Sequence, residues 1–510
     1  MSIKTVLRVC VAALVPTLAA AQQPGVTEAA ATLTEADFMS RIGVIAHDSM
    51  QGRNTPSPGL DRTAEWIAAQ FEEMGLRGGG DDGGFIQRYP LRSVVVDTVA
   101  SALSGGGQRL AYGADMVQLT GRGDVDLTGG VVLFSGSLNF QAAAAAAPLA
   151  GNHVVLLLGE DSPGVSRMMV VELSEGGAAS ILVSTPMAAG RWDLGAIRSL
   201  RPVISKGWGG RGRRVVSSAT PVMQVRAEAL DRALGASGVN ATALRARTAG
   251  DVEAQLVEGL EMTLTVAFRD EQITAPNVVA ILEGSDPQLK DEYVVFSAHM
   301  DHVGIGVPDA NGDSIFNGAD DDASGTVAIV EVAEAMTSLP TPPRRSMVFL
   351  LVSGEEKGLW GSEWHAANPS APIDKYVANL NADMVGRNWG DTIVAIGKEH
   401  SDLGETLNRV NGNHPELNMT AIDDIWPDER FYFRSDHYNF ARNGVPVLFF
   451  FNGTHDDYHG RDDEPDRIDA EKAARISKLI FYLGVDIANR DERPEWDPES
   501  YREIVTRPVG

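Results

Sequence analysis

The sequence predicts an α/β fold: a mostly parallel mixed sheet sandwiched by helices, interrupted by a smaller β-rich insert. Three observations predict it. From Met262 onward, continuous apolar runs alternate with segments of helical period, the pattern of strands buried on both faces. Between about Val95 and Leu260 that alternation gives way to short β-rich runs. The residues capable of chemistry each follow an apolar run, where sheets of this class open their ligand crevices.

At 510 residues the chain is comfortable for two domains. Lys4 and Arg8 precede an apolar stretch over 9–20, and Ala19-Ala20-Ala21 offers a small-residue cleavage site before Gln22. Residues 1–21 therefore read as a signal peptide, and the mature protein as periplasmic or secreted. The stretch is shorter than the ~20 residues that span a bilayer, and no later one is long enough. No membrane contact is expected after cleavage.

Residues 22–95 read as the first part of the main domain. Ala64, Ile67, Ala68, Phe71 and Met74 recur at helical spacing until Gly75 stops the helix; 78–84 is a glycine and aspartate turn, and 85–90 alternates like a strand. Residues 96–260 form the insert, with strand-like runs at 130–134, 153–158 and 180–184 and one or two helices, including 170–177. Its six alanines, 142–147, read as a surface helix or loop. Residues 261–490 carry strands at 277–282, 293–298, 346–352, 376–382 and 445–451 and a helix over 323–336, and 491–510 is a tail.

Composition excludes several functions. The only cysteine, Cys10, falls inside the leader, so the mature chain has no disulfide and no thiol nucleophile, and any zinc must be held by nitrogen and oxygen. The formal charge of −26 becomes −28 once Lys4 and Arg8 are removed, which argues against nucleic acid or anionic membranes as partners.

The chemistry sits at the strand ends. The strand over 293–298 delivers His299-Met300-Asp301-His302, where Asp301 can accept the second ring N–H of His299 if that residue binds metal. Asp320-Asp321-Asp322 opens a helix; capping accounts for one carboxylate, and the mutual repulsion of three is relieved by a cation. Glu355-Glu356 follows Gly354 directly after the strand at 346–352, and paired glutamates allow one to coordinate while the other stays free as a general base. Asp383 ends the next strand, and Tyr458-His459 follows the last one after a short polar loop. Each alone has a bland reading as a cap or solvated turn.

Taken in order, His-x-Asp, Gly-Ala-Asp-Asp-Asp-Ala-Ser-Gly from Gly318, Gly-Glu-Glu-x-Gly-Leu-x-Gly-Ser from Gly354, Asp383-Met384, Ser435-Asp436-His437 and Tyr458-His459-x-x-x-Asp463 resemble the co-catalytic di-zinc exopeptidase family that includes bacterial leucyl aminopeptidases and aminopeptidase Y. The resemblance covers Thr34 to about Gly484. The insert, with Gly151-Asn152-His153-Val154-Val155-Leu156 and Glu175-Gly176-Gly177-Ala178, is similar to the protease-associated domain found inside some members.

The resemblance implies a zinc exopeptidase fold and two Zn2+ ions per chain. It makes His299 and Asp383 ligands of one ion, Glu356 and His459 ligands of the other, and Asp321 the bridge, with a cis bond after it. It further implies Glu355 as general base, Asp301 as orienter of His299 and Tyr458 as donor to the developing oxyanion. The implied activity is removal of N-terminal residues from peptides or proteins. The alternatives are a carboxypeptidase or dipeptidase, for which Arg387, Arg430 and Arg434 are candidate carboxylate binders, a one-zinc glutaminyl cyclase, and a receptor-like binding protein that has lost catalysis.

Several residues are set aside. His302 and His455 read as neighbours of the motifs rather than ligands, and His437 as a supporting residue at most. His47, His153, His365, His400 and His414 read as ordinary surface or core histidines. Asp309-x-Asn311-x-Asp313 begins like a calcium loop, but Ser314 stands where the turning glycine belongs and no glutamate closes it. Asp462, Asp463, Glu464 and Asp466 read as a solvated acidic turn.

Overall fold

The computed structural model describes residues 25–120, 123–136, 138–159, 164–187, 189–208, 220–247 and 250–506. The expected leader, with Lys4, Arg8 and Cys10, lies outside these residues. The chain divides into two compact units, 1–89 with 275–510 and 90–274. No helix among the described residues is long and apolar enough to cross a membrane.

In the first unit, Val447–Phe450, Tyr376–Ala382, Tyr293–His299 and Ser346–Val352 run parallel, side by side in that order. These four are apolar and almost wholly buried, as strands covered on both faces must be. Antiparallel neighbours, Phe268–Leu282 beyond Ser346–Val352 and Thr392–Ile396 beyond Val447–Phe450, make the sheet mixed.

One face carries Glu35–Ile45, Pro58–Glu73, Gly325–Thr337 and Ala470–Asn489 around a core that includes Phe38, Phe71, Phe296 and Phe349. Pro58–Glu73 is the helix expected from the spacing of Ala64 to Met74; the Ser57 side chain caps it, accepting from the Leu60 N–H. Phe296 and Phe349 stack at 5.4 Å in the sheet, and Ala470–Asn489 lies so close that a Cβ on Gly484 would stand 2.4 Å from Phe296 Cζ. The opposite face packs Val295, Val348, Phe440, Phe449 and Phe451 in a second cluster.

In the second unit an eight-stranded sheet holds four consecutive parallel strands, Val125–Ser135, His153–Leu157, Ser180–Ser184 and Val222–Val225. Here the expectation of one or two helices needs correction, because five are present among the described residues: Phe140–Ala146, Arg167–Glu175, Ala189–Leu200, Ala227–Gly235 and Ala241–Arg245. The reason is topological. Parallel neighbours require crossover connections, which helices supply, and the first three of these helices occupy the crossovers.

Candidate metal centre

Three adjacent parallel strands deliver the site because they end together. Their register sets His299 beside Val352, so the chain leaving Val352 reaches Glu355 close to the histidine. Tyr376–Ala382, paired on the other side of Tyr293–His299, ends at Asp383. Asp320, Asp321 and Asp322 lie in an irregular turn, Ala319–Ser324, ahead of Gly325–Thr337, and the Asp321–Asp322 peptide bond is cis.

The carboxylate of Asp321 faces two ways. Its Oδ1 is 3.4 Å from His299 Nε2, and the same nitrogen is 3.6 Å from Asp383 Oδ1. Its Oδ2 is 3.1 Å from His459 Nε2, and that nitrogen is 3.1 Å from Glu356 Oε1. The five residues expected as ligands are thus brought together as two groups that share Asp321. Asp321 Oδ2 and Glu356 Oε1 are buried and without a hydrogen-bond partner, a state costly for carboxylate oxygens unless a cation meets them.

These atoms suit metal ions. Nitrogen or oxygen ligands at about 2.0–2.1 Å from a tetrahedral ion stand about 3.3 Å from one another, close to the separations here. The electrostatics agree: burial lowers the His299 imidazole, yet Asp383 and Asp322 outweigh it and raise its affinity for positive charge well above the ordinary value. Burial would raise the Glu356 carboxyl, but the histidines around it hold it well below the usual range.

Glu355 differs from Glu356 in environment. Desolvation by the surrounding protein raises its carboxyl well above the ordinary value, with Asp436, Asp383 and Glu356 adding repulsion against the opposing pull of His299. It lines the cleft with His299, Asp321, Asp383 and Tyr458, against an apolar wall that includes Phe431, Phe449 and Phe451. Tyr458 stacks on His459 at 4.0 Å, and burial together with Asp321 and Glu356 pushes its phenol above the ordinary value, so it keeps its proton.

Asp301 is fully buried next to His299, but the nearer acceptor for His299 Nδ1 is the Asp301 carbonyl at 3.1 Å, with carboxylate Oδ1 at 3.7 Å. The Asp301 carboxylate accepts from Thr55 Oγ1 at 2.8 Å and from the Glu355 N–H at 3.2 Å, tying the Glu355 turn to the histidine loop. Asp322 also lies within reach of His299 and Asp383. Its oxygens are taken by the backbone N–H groups of His299, Gly325 and Met384.

Four further residues serve the site. Ser435 Oγ donates to Asp383 Oδ2 at 2.9 Å and itself accepts from Asn381. Asp463 is not in a solvated turn: it is fully buried and accepts from the N–H groups of Asp320 and Asp321 at 3.0–3.1 Å. Arg53, fully buried, donates to the carbonyls of Ile45, Met300, Asn317 and Gly318. His302, set aside in the sequence, has Nδ1 at 3.1 Å from Glu356 Oε1 and 3.5 Å from Asp321 Oδ2. Its one signal was its position three residues past His299.

The other residues set aside lie elsewhere. His455 faces Asp320 Oδ2 at 3.3 Å. His437 donates through Nε2–H to the Tyr432 carbonyl, 2.8 Å away. Asp309 accepts from the N–H groups of Asn311 and Asp313, using its own loop. Of the candidate arginines, Arg387 pairs with Asp457 at 2.8 Å and Arg430 lies over Phe433, whereas Arg434 lines the cleft.

Residues 277–484 match the model of peptidase family M28. The chain is 26% identical over 244 residues to a probable leucine aminopeptidase of Arthroderma benhamiae, covering 46% of this chain and 64% of that protein. It is 25% identical over 252 residues to an aminopeptidase of Bacillus subtilis, covering 47% and 50%. It therefore spans about half to two thirds of the length of these curated relatives. Among solved structures, an aminopeptidase from Aneurinibacillus sp. strain AM-1 is similar at 19% identity and a TM-score of 0.48, over 95% of this chain and 99% of that one. The matched segment includes His299, Asp321, Glu355, Glu356, Asp383 and His459.

Proposed function

We propose that the chain is an exported zinc-dependent aminopeptidase that holds two Zn2+ ions and removes single residues from peptide N-termini. The observation that carries the reading is Asp321, whose two oxygens face two separate ligand groups beside a glutamate that joins neither. The match of residues 277–484 to the model of peptidase family M28 supports it. His299, Asp321 and Asp383 would hold one ion, and Asp321, Glu356 and His459 the other. Bound there, the ions supply Lewis acidity that polarises a scissile carbonyl and acidifies water.

The chain's own groups do the rest. Glu355, with its raised proton affinity, takes a proton from water in the cleft and delivers it to the leaving amine. Tyr458, which stays protonated, donates to the oxygen that becomes negative. Asp301 holds His299 and the Glu355 turn in register through its carbonyl and carboxylate. The apolar wall of Phe431, Phe449 and Phe451 suits an apolar side chain at the substrate's N-terminus. The unit 90–274 is proposed to be a protease-associated domain with no catalytic group to contribute.

One observation favours a second reading, a carboxypeptidase or dipeptidase on the same scaffold. Arg434 lines the cleft with its guanidinium over the Phe431 ring, 4.8 Å from the centroid, placed to meet a substrate carboxylate. A panel of free aminoacyl chromogenic substrates, N-blocked analogues and C-terminally blocked peptides, with and without chelator, separates the readings. Chelator-sensitive cleavage of the free aminoacyl set is expected. Cleavage confined to N-blocked substrates overturns the aminopeptidase, and activity indifferent to chelator overturns the zinc dependence.

A further inference from the structure

We infer that His302 is a fourth protein ligand of the ion held by Asp321, Glu356 and His459, and that the two metal positions are therefore unequal. The inference rests on the di-zinc reading above. His302 is fully buried, and neither of its ring nitrogens makes a hydrogen bond. A buried imidazole left so is rare and costly. Its Nδ1 points at the same two carboxylate oxygens as His459 Nε2, at 3.1 Å from Glu356 and 3.5 Å from Asp321, and those oxygens are themselves unpartnered.

The separations of His302 and His459 from the two carboxylates, 3.1–3.5 Å, bracket the tetrahedral edge of about 3.3 Å. All four ligand atoms lie within 4.8 Å of one another. The ring is held in place from both sides. Its backbone N–H donates to the Arg53 carbonyl at 3.3 Å, and it packs on Gly318, where a Cβ would come within 2.5 Å of the imidazole. Glycine at 318 also suits the local φ of +55°.

Four protein ligands make a closed site, the arrangement of structural zinc, whereas three leave a position open for chemistry. His299, Asp321 and Asp383 supply three, since the oxygens of Asp322 are occupied by backbone donors. The structure thus assigns the His302 position to an ion that binds first and leaves last, and the His299 position to the more exchangeable one.

The test uses the full chain stripped of metal and titrated with Co2+, read by binding isotherm and by visible absorption. Wild type is expected to bind two ions in separate steps, the first with the intense bands of tetrahedral cobalt. In His302→Ala the first step weakens by at least about a hundredfold, the most that losing a residue behind a ligand costs, and the tetrahedral bands fade. An unchanged first step, or full recovery of affinity and spectrum in His302→Gln, which keeps a donor but not the imidazole, overturns the inference and leaves the di-zinc reading standing. Failure of wild type to bind any ion overturns both. Should the variants not fold, X-ray absorption on wild type with one equivalent of zinc decides: two imidazoles on the ion support the inference, and one overturns it.

Discussion

Replacing Arg53 with methionine tests how the site is held. The guanidinium donates to Met300 O at 2.8 Å, Ile45 O at 3.0 Å, Asn317 O at 2.6 Å and Gly318 O at 2.8 Å, wholly away from water. Methionine fills much of the stem's volume and leaves four buried carbonyls without these donors. At about 1 kcal/mol for each, the low end for a stranded buried acceptor, the loss is about 4 kcal/mol, a large share of the ~5–15 kcal/mol that stabilises a typical domain. It also removes the positive charge that faces Asp321, Asp463, Asp301 and Asp322. Arg53→Lys keeps the charge, but a single ammonium cannot span four carbonyls, so most of the loss persists. The measurement is urea unfolding of the metal-loaded chain by circular dichroism, with zinc retention against chelator followed in parallel. A loss below about 1 kcal/mol with unchanged zinc retention would refute the view that Arg53 clamps the two ligand-bearing loops.

Three further predictions follow from the same structure. Glu355→Gln is expected to keep both zinc ions by elemental analysis while lowering kcat by about 10²–10⁴, the range for a lost general base; undiminished turnover would remove Glu355 from the mechanism. Ser435→Ala removes the 2.9 Å hydrogen bond to Asp383 and should weaken metal at the His299 position by about 10–100-fold, read by chelator competition; equal metal retention would show that Asp383 needs no such support. Glu331 is buried, and desolvation pushes its carboxyl up to about 7 despite its pairing with Arg41. Its folded value lies above its unfolded one, so its contribution to stability is present below about pH 4.5 and lost as pH rises through about 7. Compared with Glu331→Gln, wild type should lose on the order of 3 kcal/mol across that window, and parallel stability curves for the two proteins would contradict this.

The candidate ligand set was legible because most of its members sit where a run of apolar residues stops, and strand ends are visible in one dimension. Parallel pairing then brings His299, Glu355 and Asp383 together with no information beyond the strand boundaries. What the sequence hides is a partner far along the chain. Asp463 looks like part of an acidic turn until the N–H groups of Asp320 and Asp321 are seen to meet it. Arg53 joins segments around residues 45, 300 and 317, a link that no local pattern announces. His302 shares its loop with His299 but faces the other ligand group, a difference set by backbone direction. The helices of the second unit were underestimated because the need for crossovers appears only once the strands are known to be parallel.

The three consecutive aspartates show why charge density alone says little about a metal site. Asp320 Oδ1 accepts from Ser324 Oγ and from the Gly386 N–H, and its Oδ2 faces His455. Asp322 accepts from three backbone N–H groups. Both flanking carboxylates are thereby committed to holding the chain. Only Asp321 turns both oxygens toward the two histidine groups, with Oδ2 free of any hydrogen bond. The repulsion expected among three neighbouring acids is met by hydrogen-bond donors at the two flanking residues, while Asp321 faces the two histidine groups where a cation would satisfy it. A substitution series along the run should therefore divide: Asp321→Asn would impair metal binding at both positions with little loss of fold stability. Asp320→Ala and Asp322→Ala would strand buried donors and lower stability by about 1–3 kcal/mol for each N–H left unpaired. Equal effects of all three on zinc content and on unfolding would mean that the run acts as a diffuse acidic patch and that Asp321 has no special place.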